Sequence, residues 1–225
     1  MVNVPMKILI LGDMHGEIEI AKRIVDSTDC DYVLQVGDMT LYGNYSKPVY
    51  FITGNHENWD IIEAIDNGKI EFENLKHINT AEVISLKKGK EIIGVSGLNG
   101  NYSPKDYELK RQELEGKRRS HFVKDDVERC KKLKNIDIFL SHEPPVGIGF
   151  IKRNKDVGIE PIKEILDSIR PRFLFFCHHH IFFEKTVNIT RIFGLSYASR
   201  EYCILDTNRN KVKRIQLVVG YDAKL

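Results

Sequence analysis

This sequence of 225 residues has no Cys-x-x-Cys pair, and its four cysteines (Cys30, Cys130, Cys177 and Cys203) are scattered. Such spacing excludes a disulfide-framed scaffold and reads as reduced, intracellular thiols. An excess of one charge is also missing: 34 Lys plus Arg stand against 32 Asp plus Glu, a net of +2. Nucleic-acid binding through overall charge alone is thereby excluded, while a local basic groove stays open. The first apolar run, 8–11, is far too short for a signal core or a membrane span. The expectation is a soluble cytoplasmic protein with no membrane partner. Internal repeats and low-complexity linkers are absent, and Pro and Gly are dispersed. The reading is therefore one domain over 1–225. With 42% hydrophobic and 29% charged residues, the chain can bury a full core without disulfides or a metal staple. Any metal would serve function rather than folding.

What is present is an alternation of short apolar runs and amphipathic stretches. Strands are predicted at 7–11, 32–36 and 49–52, each followed closely by glycine (Gly12, Gly37, Gly54). Helices are predicted at 17–27 and 59–65, where apolar residues recur at helical spacing. The middle reads as strands at 82–86 and 92–95 around a turn at 87–90, then a polar stretch with one helix at 123–133. A strand at 136–140, a helix at 159–169 and a strand at 173–176 follow, then strands at 182–187, 190–193, 202–205 and 213–219. The alternating first half implies parallel pairing and an α/β architecture; the strand-rich second half implies a mixed second sheet.

The chemistry clusters where predicted strands end. Asp13 and His15 follow the first strand, Asp38 the second, and Asn55 and His56 the third. His142 follows the strand at 136–140, and His178, His179 and His180 follow the strand at 173–176. In open α/β sheets the loops at the carboxyl ends of strands line the binding crevice. Imidazoles, carboxylates and one amide oxygen suit a borderline divalent transition metal such as Mn, Fe, Ni, Co or Zn. The donors are too many for one tetrahedral ion and suit two ions sharing a carboxylate. A pair of ions roughly 3.5–4 Å apart clamps an in-line displacement at phosphorus.

The blocks GDMHG (12–16), GDMT (37–40), GNHE (54–57), SHEP (141–144) and CHHH (177–180) resemble, in order, the motifs of the calcineurin-like metallophosphoesterases. The resemblance implies a four-layer αββα sandwich with two mixed β-sheets. It implies that Asp13, His15 and His180 bind one metal, that Asn55, His142 and His178 bind a second, and that Asp38 bridges both. It also implies a metal-held hydroxide as nucleophile on a phosphate-ester substrate, a phosphodiester above a phosphomonoester, with His56 protonating the leaving oxygen. Glu57 would orient neighbouring groups. The last block carries Cys177 where the family commonly has glycine. A small buried cysteine fits such a place unless the position needs a positive φ, which would displace His178.

Three shorter stretches, IDIFLSHEP (136–144), GVSGLNGNYS (94–103) and FGLSY (193–197), resemble RNA lariat debranching enzymes, which cleave 2′–5′ phosphodiesters. A nuclease or debranching-type enzyme with a nucleic-acid substrate is thus one alternative, and a non-catalytic scaffold on the same fold is another. The gap between Asp38 and Asn55 is short for a large recognition loop. Residues 105–134 carry eleven Lys/Arg against seven Asp/Glu, with Tyr102 and Tyr107 near their start. Such a stretch either tracks a nucleic-acid backbone or forms a solvated, ion-paired face, and the second reading is preferred. His179 alternates with its neighbours and is expected to point away from them. His77 and His121 have no motif support.

Overall fold

The structure, a computed structural model, describes residues 5–217. In chain order the elements are β1 (Lys7–Leu11), α1 (Ile18–Ser27), β2 (Tyr32–Val36), β3 (Val49–Ile52), α2 (Trp59–Asp66), β4 (Leu75–His77), β5 (Ile84–Lys88) and β6 (Glu91–Leu98). After two short 3-10 turns, Arg111–Glu113 and Gly116–Ser120, come α3 (Lys124–Lys131), β7 (Ile138–Ser141), β8 (Ile151–Lys152), β9 (Lys155–Asp156) and α4 (Glu160–Ile169). The chain continues through β10 (Phe173–Phe176), β11 (Phe183–Val187), β12 (Thr190–Gly194), β13 (Glu201–Asp206) and β14 (Lys211–Gln216).

Two mixed six-stranded sheets result, ordered β14-β13-β1-β2-β3-β4 and β11-β12-β10-β7-β6-β5. The side-chain period of two in each strand sorts the core into layers. Ile8, Ile10, Leu34, Val36 and Ile52 of the first sheet meet Val95, Ile138, Leu140, Phe175 and Phe193 of the second. The alternate residues Leu9, Leu11, Val33 and Phe51 face Ala21, Ile24 and Val25 of α1 and Ile62 of α2. On the far side, Phe139, Leu174, Phe176 and Ile192 face Val127 and Cys130 of α3 and Ile162, Ile165 and Leu166 of α4. These layers are the expected αββα sandwich.

β1 through β4 run parallel, as do β6, β7, β10 and β12. Their carboxyl ends therefore open on a common edge, and the loops that leave it carry the chemistry.

Several sequence expectations shift, including the strands expected at 82–86 and 92–95, which run Ile84–Lys88 and Glu91–Leu98. β4 was not expected, because three residues with exposed Lys76 in the middle give no period to read. Likewise β8 and β9 have two residues each. The strand expected from 136 starts at Ile138: Asp137 instead accepts the Gly94 N–H at 3.0 Å and pairs with Arg172 at 3.0 Å. The last two residues of the strand expected at 213–219 lie outside the described residues.

Candidate metal centre

Two loops carry the first donors. After β1, Asp13 is fully buried and His15 half-buried; after β2, Asp38 is buried. Both loops are tied together by the backbone, with the Met14 and His15 N–H groups donating to Asp38 O at 3.1 and 2.9 Å. Gln35, the one polar side chain among the buried residues of β2 and itself fully buried, braces them further. Its Nε2 donates to Gly12 O at 3.2 Å and to Gly37 O, and its Oε1 accepts from Gly37 N at 3.1 Å. A buried polar side chain in an apolar strand requires such partners. That requirement was a sequence signal, and the motif reading passed over it.

The donor atoms form two adjoining groups. In the first, Asp13 Oδ2 lies 2.7 Å from His180 Nε2 and 3.7 Å from His15 Nε2, and the two Nε2 atoms are 3.4 Å apart. In the second, His142 Nε2 has Asn55 Oδ1 at 3.1 Å, His178 Nδ1 at 3.2 Å and Asp38 Oδ2 at 3.4 Å. The same Asp38 oxygen is 3.8 Å from His15 Nε2 and thus belongs to both groups. Two sets of donors lie mutually close enough to share an ion, Asp13 with His15 and His180, and Asp13 with Asp38 and His142; Asn55 and His178 adjoin the second through His142 Nε2. The fold therefore brings together all seven expected ligand residues.

Electrostatics also fit a cation. Asp13 Oδ1 is buried and has no hydrogen-bond partner among the described residues, and a bare buried carboxylate oxygen is costly. Burial works against the charged form of Asp38, but the hydrogen bond and charge of His142 prevail and hold its carboxyl down at about 2. Burial likewise opposes the His142 imidazolium, yet its bond to Asp38 and the charges of Asp13 and Asp38 carry it up to about 9. His178 is pushed the other way, to about 4, by burial and then by His142. One imidazolium thus compensates two buried carboxylates, a task that divalent ions would take over.

The positions are conformationally demanding. His15, Asp38, His178 and His180 have φ of 44°, 54°, 60° and 56°, a region that costs non-glycine residues about 1–3 kcal/mol. Cys177 is not among the positive-φ residues, so replacing glycine there does not displace His178. Instead its sulfur accepts the Asp13 N–H at 3.3 Å, and its thiol donates to Leu195 O at 3.1 Å. Burial pushes that thiol well above its ordinary pKa, which marks a structural, unreactive group.

His56 is exposed and is placed through its backbone, whose N–H donates to Asp38 Oδ1 at 2.7 Å. Its ring is 5.3 Å from that of His15, and its imidazole has no hydrogen-bond partner among the described residues. Glu57 ties its own loop, after β3, to the loop after β2: it accepts from Met39 N and Thr40 N, both at 3.0 Å, and from the Tyr42 hydroxyl. Asn99, at the end of β6, holds the end of β3. Its Oδ1 accepts from Thr53 N at 2.6 Å and Thr53 Oγ1 at 3.0 Å, and its Nδ2 donates to Ile78 O at 2.8 Å.

The remaining histidines are structural. His77 is bonded to Asp66 at 2.8 Å and to Asn99 at 3.0 Å. His121 is bonded to Asp106 at 2.6 Å. His179 turns from the donor groups and stacks on Phe150, with ring centroids 5.5 Å apart. Tyr197, from the loop after β12, stacks on His180 at 3.9 Å. The basic stretch is ion-paired: Arg111 with Asp126, Arg118 with Asp106, Arg119 with Asp60 and Glu63, and Arg129 with Asp125 and Asp126. Tyr102 and Tyr107 pack on each other and on Phe122 rather than forming a stacking platform.

Residues 6–182 match the sequence pattern of the calcineurin-like phosphoesterases. The chain belongs to that family. Among curated proteins it is similar to lariat debranching enzymes. One, from Drosophila pseudoobscura pseudoobscura, is 29% identical, and the match covers 81% of this chain and 44% of that protein. Another, from Schizosaccharomyces pombe, is 30% identical, over 68% of this chain and 38% of that one. The chain thus spans about two fifths of the length of these relatives. Among solved structures, the protein TT1561 of Thermus thermophilus superposes with a TM-score of 0.71 at 14% identity, over 95% of this chain and 99% of that one. The phosphopantetheinyl hydrolase of Mycobacterium tuberculosis reaches 0.51 at 10% identity, over 98% and 99%. At such identities the structural likeness shows the fold alone. No helix among the described residues is long and apolar enough to cross a membrane.

Proposed function

We propose that this phosphoesterase-family chain is a phosphodiesterase working with two divalent transition metal ions, drawn from Mn, Fe, Ni, Co or Zn. Asp13, His15 and His180 hold one ion, Asn55, His142 and His178 the other, and Asp38 both. The observation that carries this reading is the shared Asp38 oxygen, 3.4 Å from His142 Nε2 and 3.8 Å from His15 Nε2. When bound, the ions supply an activated water and neutralise charge developing on the phosphoryl oxygens.

The chain's own residues do the rest. Asp38 fixes the His56 backbone through Oδ1 while its Oδ2 faces the donor groups. His56, exposed at the rim with an unengaged imidazole, protonates the departing ester oxygen. Gln35 keeps the loops after β1 and β2 in register, and Glu57 those after β2 and β3. The full donor set argues against a non-catalytic scaffold, which has no need for a buried, cation-seeking pair of carboxylates.

A branched RNA substrate is the second reading. The similarity to proteins named lariat debranching enzymes favours it. The ion-paired basic stretch gives it no support.

The test is elemental analysis of the purified protein, then hydrolysis of bis-p-nitrophenyl phosphate against p-nitrophenyl phosphate with each metal added. About two metals per chain with preferential diester cleavage is the expected result. Absence of both metal uptake and cleavage would overturn the reading. Branched RNA is the next substrate to test, with salt dependence as the marker of phosphate contacts.

A further inference from the structure

All four arginines of 105–134 pair with acids, but the β8–β9 hairpin carries cations that do not. Lys152, Arg153 and Lys155 have no acidic partner among the described residues. Asp156, the one acid of the hairpin, is turned to the backbone and accepts from Gly147 N and Gly158 N, both at 2.9 Å. Lys152 and Lys155 stand directly opposite each other in the strand register, and like charges so placed repel. Arg153 and Asn154 form the turn between them with φ of 49° and 61°. Hairpins favour Asn and Gly there, and a bulky residue is disfavoured. Lys185 of β11 adds a fourth cation without an acidic partner among the described residues. Its Nζ lies 3.2 Å from the place that a Cβ on Gly149 would take. Among the described residues nothing offsets this charge; a bound anion would.

The hairpin is rooted beside the candidate centre. Phe150, at its base, is buried and packs edge-on against Phe176 and Phe183, with ring centroids 5.2 Å apart in both pairs. His179 stacks on Phe150, and its Nδ1 is 3.5 Å from Lys152 Nζ. The His179 ring in turn lies 4.8 Å from that of His178. One imidazole therefore separates Lys152 from a proposed metal ligand. A strand that brings one phosphodiester to the centre carries further phosphates on either side of it. Cations at the rim are placed to take them.

We propose that the β8–β9 hairpin holds phosphates of a nucleic-acid strand next to the one being cleaved, with Lys152, Arg153 and Lys155 as the contacts. This rests on the phosphodiesterase reading of the adjoining centre and narrows its substrate to an oligonucleotide, linear or branched. A small diester would not reach the hairpin.

The probe is a short fluorescein-labelled oligouridylate, bound by the full chain in chelator so that nothing is cleaved, and followed by anisotropy. On a single strand each phosphate contact adds about 0.7 to the slope of log affinity against log salt. Replacing all three cations (Lys152→Ala, Arg153→Ala and Lys155→Ala) should flatten that slope by about 2 and weaken binding by about tenfold or more at low salt. Lys155→Arg alone, which keeps the charge, should bind as the wild type does. Hydrolysis of bis-p-nitrophenyl phosphate by the metal-loaded triple variant should be unchanged.

No binding of the oligouridylate by the wild type, an unchanged slope in the triple variant, or an equal loss of small-diester hydrolysis would overturn the proposal. So would displacement of the labelled RNA by polyglutamate or anionic vesicles as readily as by unlabelled RNA. The function reading stands or falls separately, on the metal content and bis-p-nitrophenyl phosphate hydrolysis of the wild type.

Discussion

Asp38 and His142 come from different sheets, at the ends of β2 and β7, and meet with Oδ2 and Nε2 3.4 Å apart. Both are buried. The contact joins the two sheets at their open edge and makes one site of two sets of loops. Removing either partner leaves the other buried and uncompensated.

Asp38→Ala should therefore lose metal and activity together. Diester hydrolysis should fall by more than about 100-fold, the upper range for changes made merely outside the ligand shell. Elemental analysis of the same preparation should show fewer than the wild-type number of ions. The rise in melting temperature that added metal gives the wild type should shrink or disappear. Full metal content in this variant would reject the bridging role.

His56→Ala should separate binding from turnover. Its side chain has no hydrogen-bond partner among the described residues, so metal content should hold while kcat falls by roughly 10²–10⁴, the usual contribution of a general acid. Loss should be greatest with alkoxide leaving groups and least with p-nitrophenolate, which needs little protonation. An equal kcat for both substrate types in variant and wild type would remove His56 from the chemistry.

Gly54→Ala tests how closely the backbone approaches the centre. A Cβ there would overlap Asp38 Oδ1 and stand 2.7 Å from His142 Nε2. Neither group can retreat, since both are buried. Destabilisation of about 1–3 kcal/mol is expected from the overpacking, with weakened metal uptake. Denaturant melts of the chelated and metal-loaded protein would measure both effects.

Asp106 offers a pH prediction away from the centre. The Arg118 guanidinium bonds to it, burial opposes, and further bonds from His121 and Ser103 help hold its carboxyl down at about 2. A carboxyl depressed on folding stabilises the folded state above its unfolded value, near 3.8. That stability is lost as pH falls through the folded value. Asp106→Asn should be less stable than wild type at pH 7, and the gap should narrow between about pH 4 and about pH 2. Urea midpoints across that range would show it, and a constant gap would contradict it.

Much of the centre was legible before any coordinates. Asp13, His15, Asp38, Asn55, His142, His178 and His180 each follow a short apolar run, and a strand's end can be read locally from where hydrophobicity stops. The core layers were legible for the same reason: Ile8 and Ile10 alternate with Leu9 and Leu11. β4 was not, because three residues around Lys76 carry no period, and β8 and β9 are shorter still.

Sequence alone determined which residue types stand at which strand ends, in what order, and that the strands alternate with helices. These are properties of neighbours in the chain. Only the tertiary structure decided what lies 164 residues apart, as when the Cys177 sulfur takes the Asp13 N–H. It alone paired Arg111, Arg118, Arg119 and Arg129 of the basic stretch with acids. It also turned His179 onto Phe150. Pairing and burial depend on long-range approach, and no local period encodes which distant group arrives.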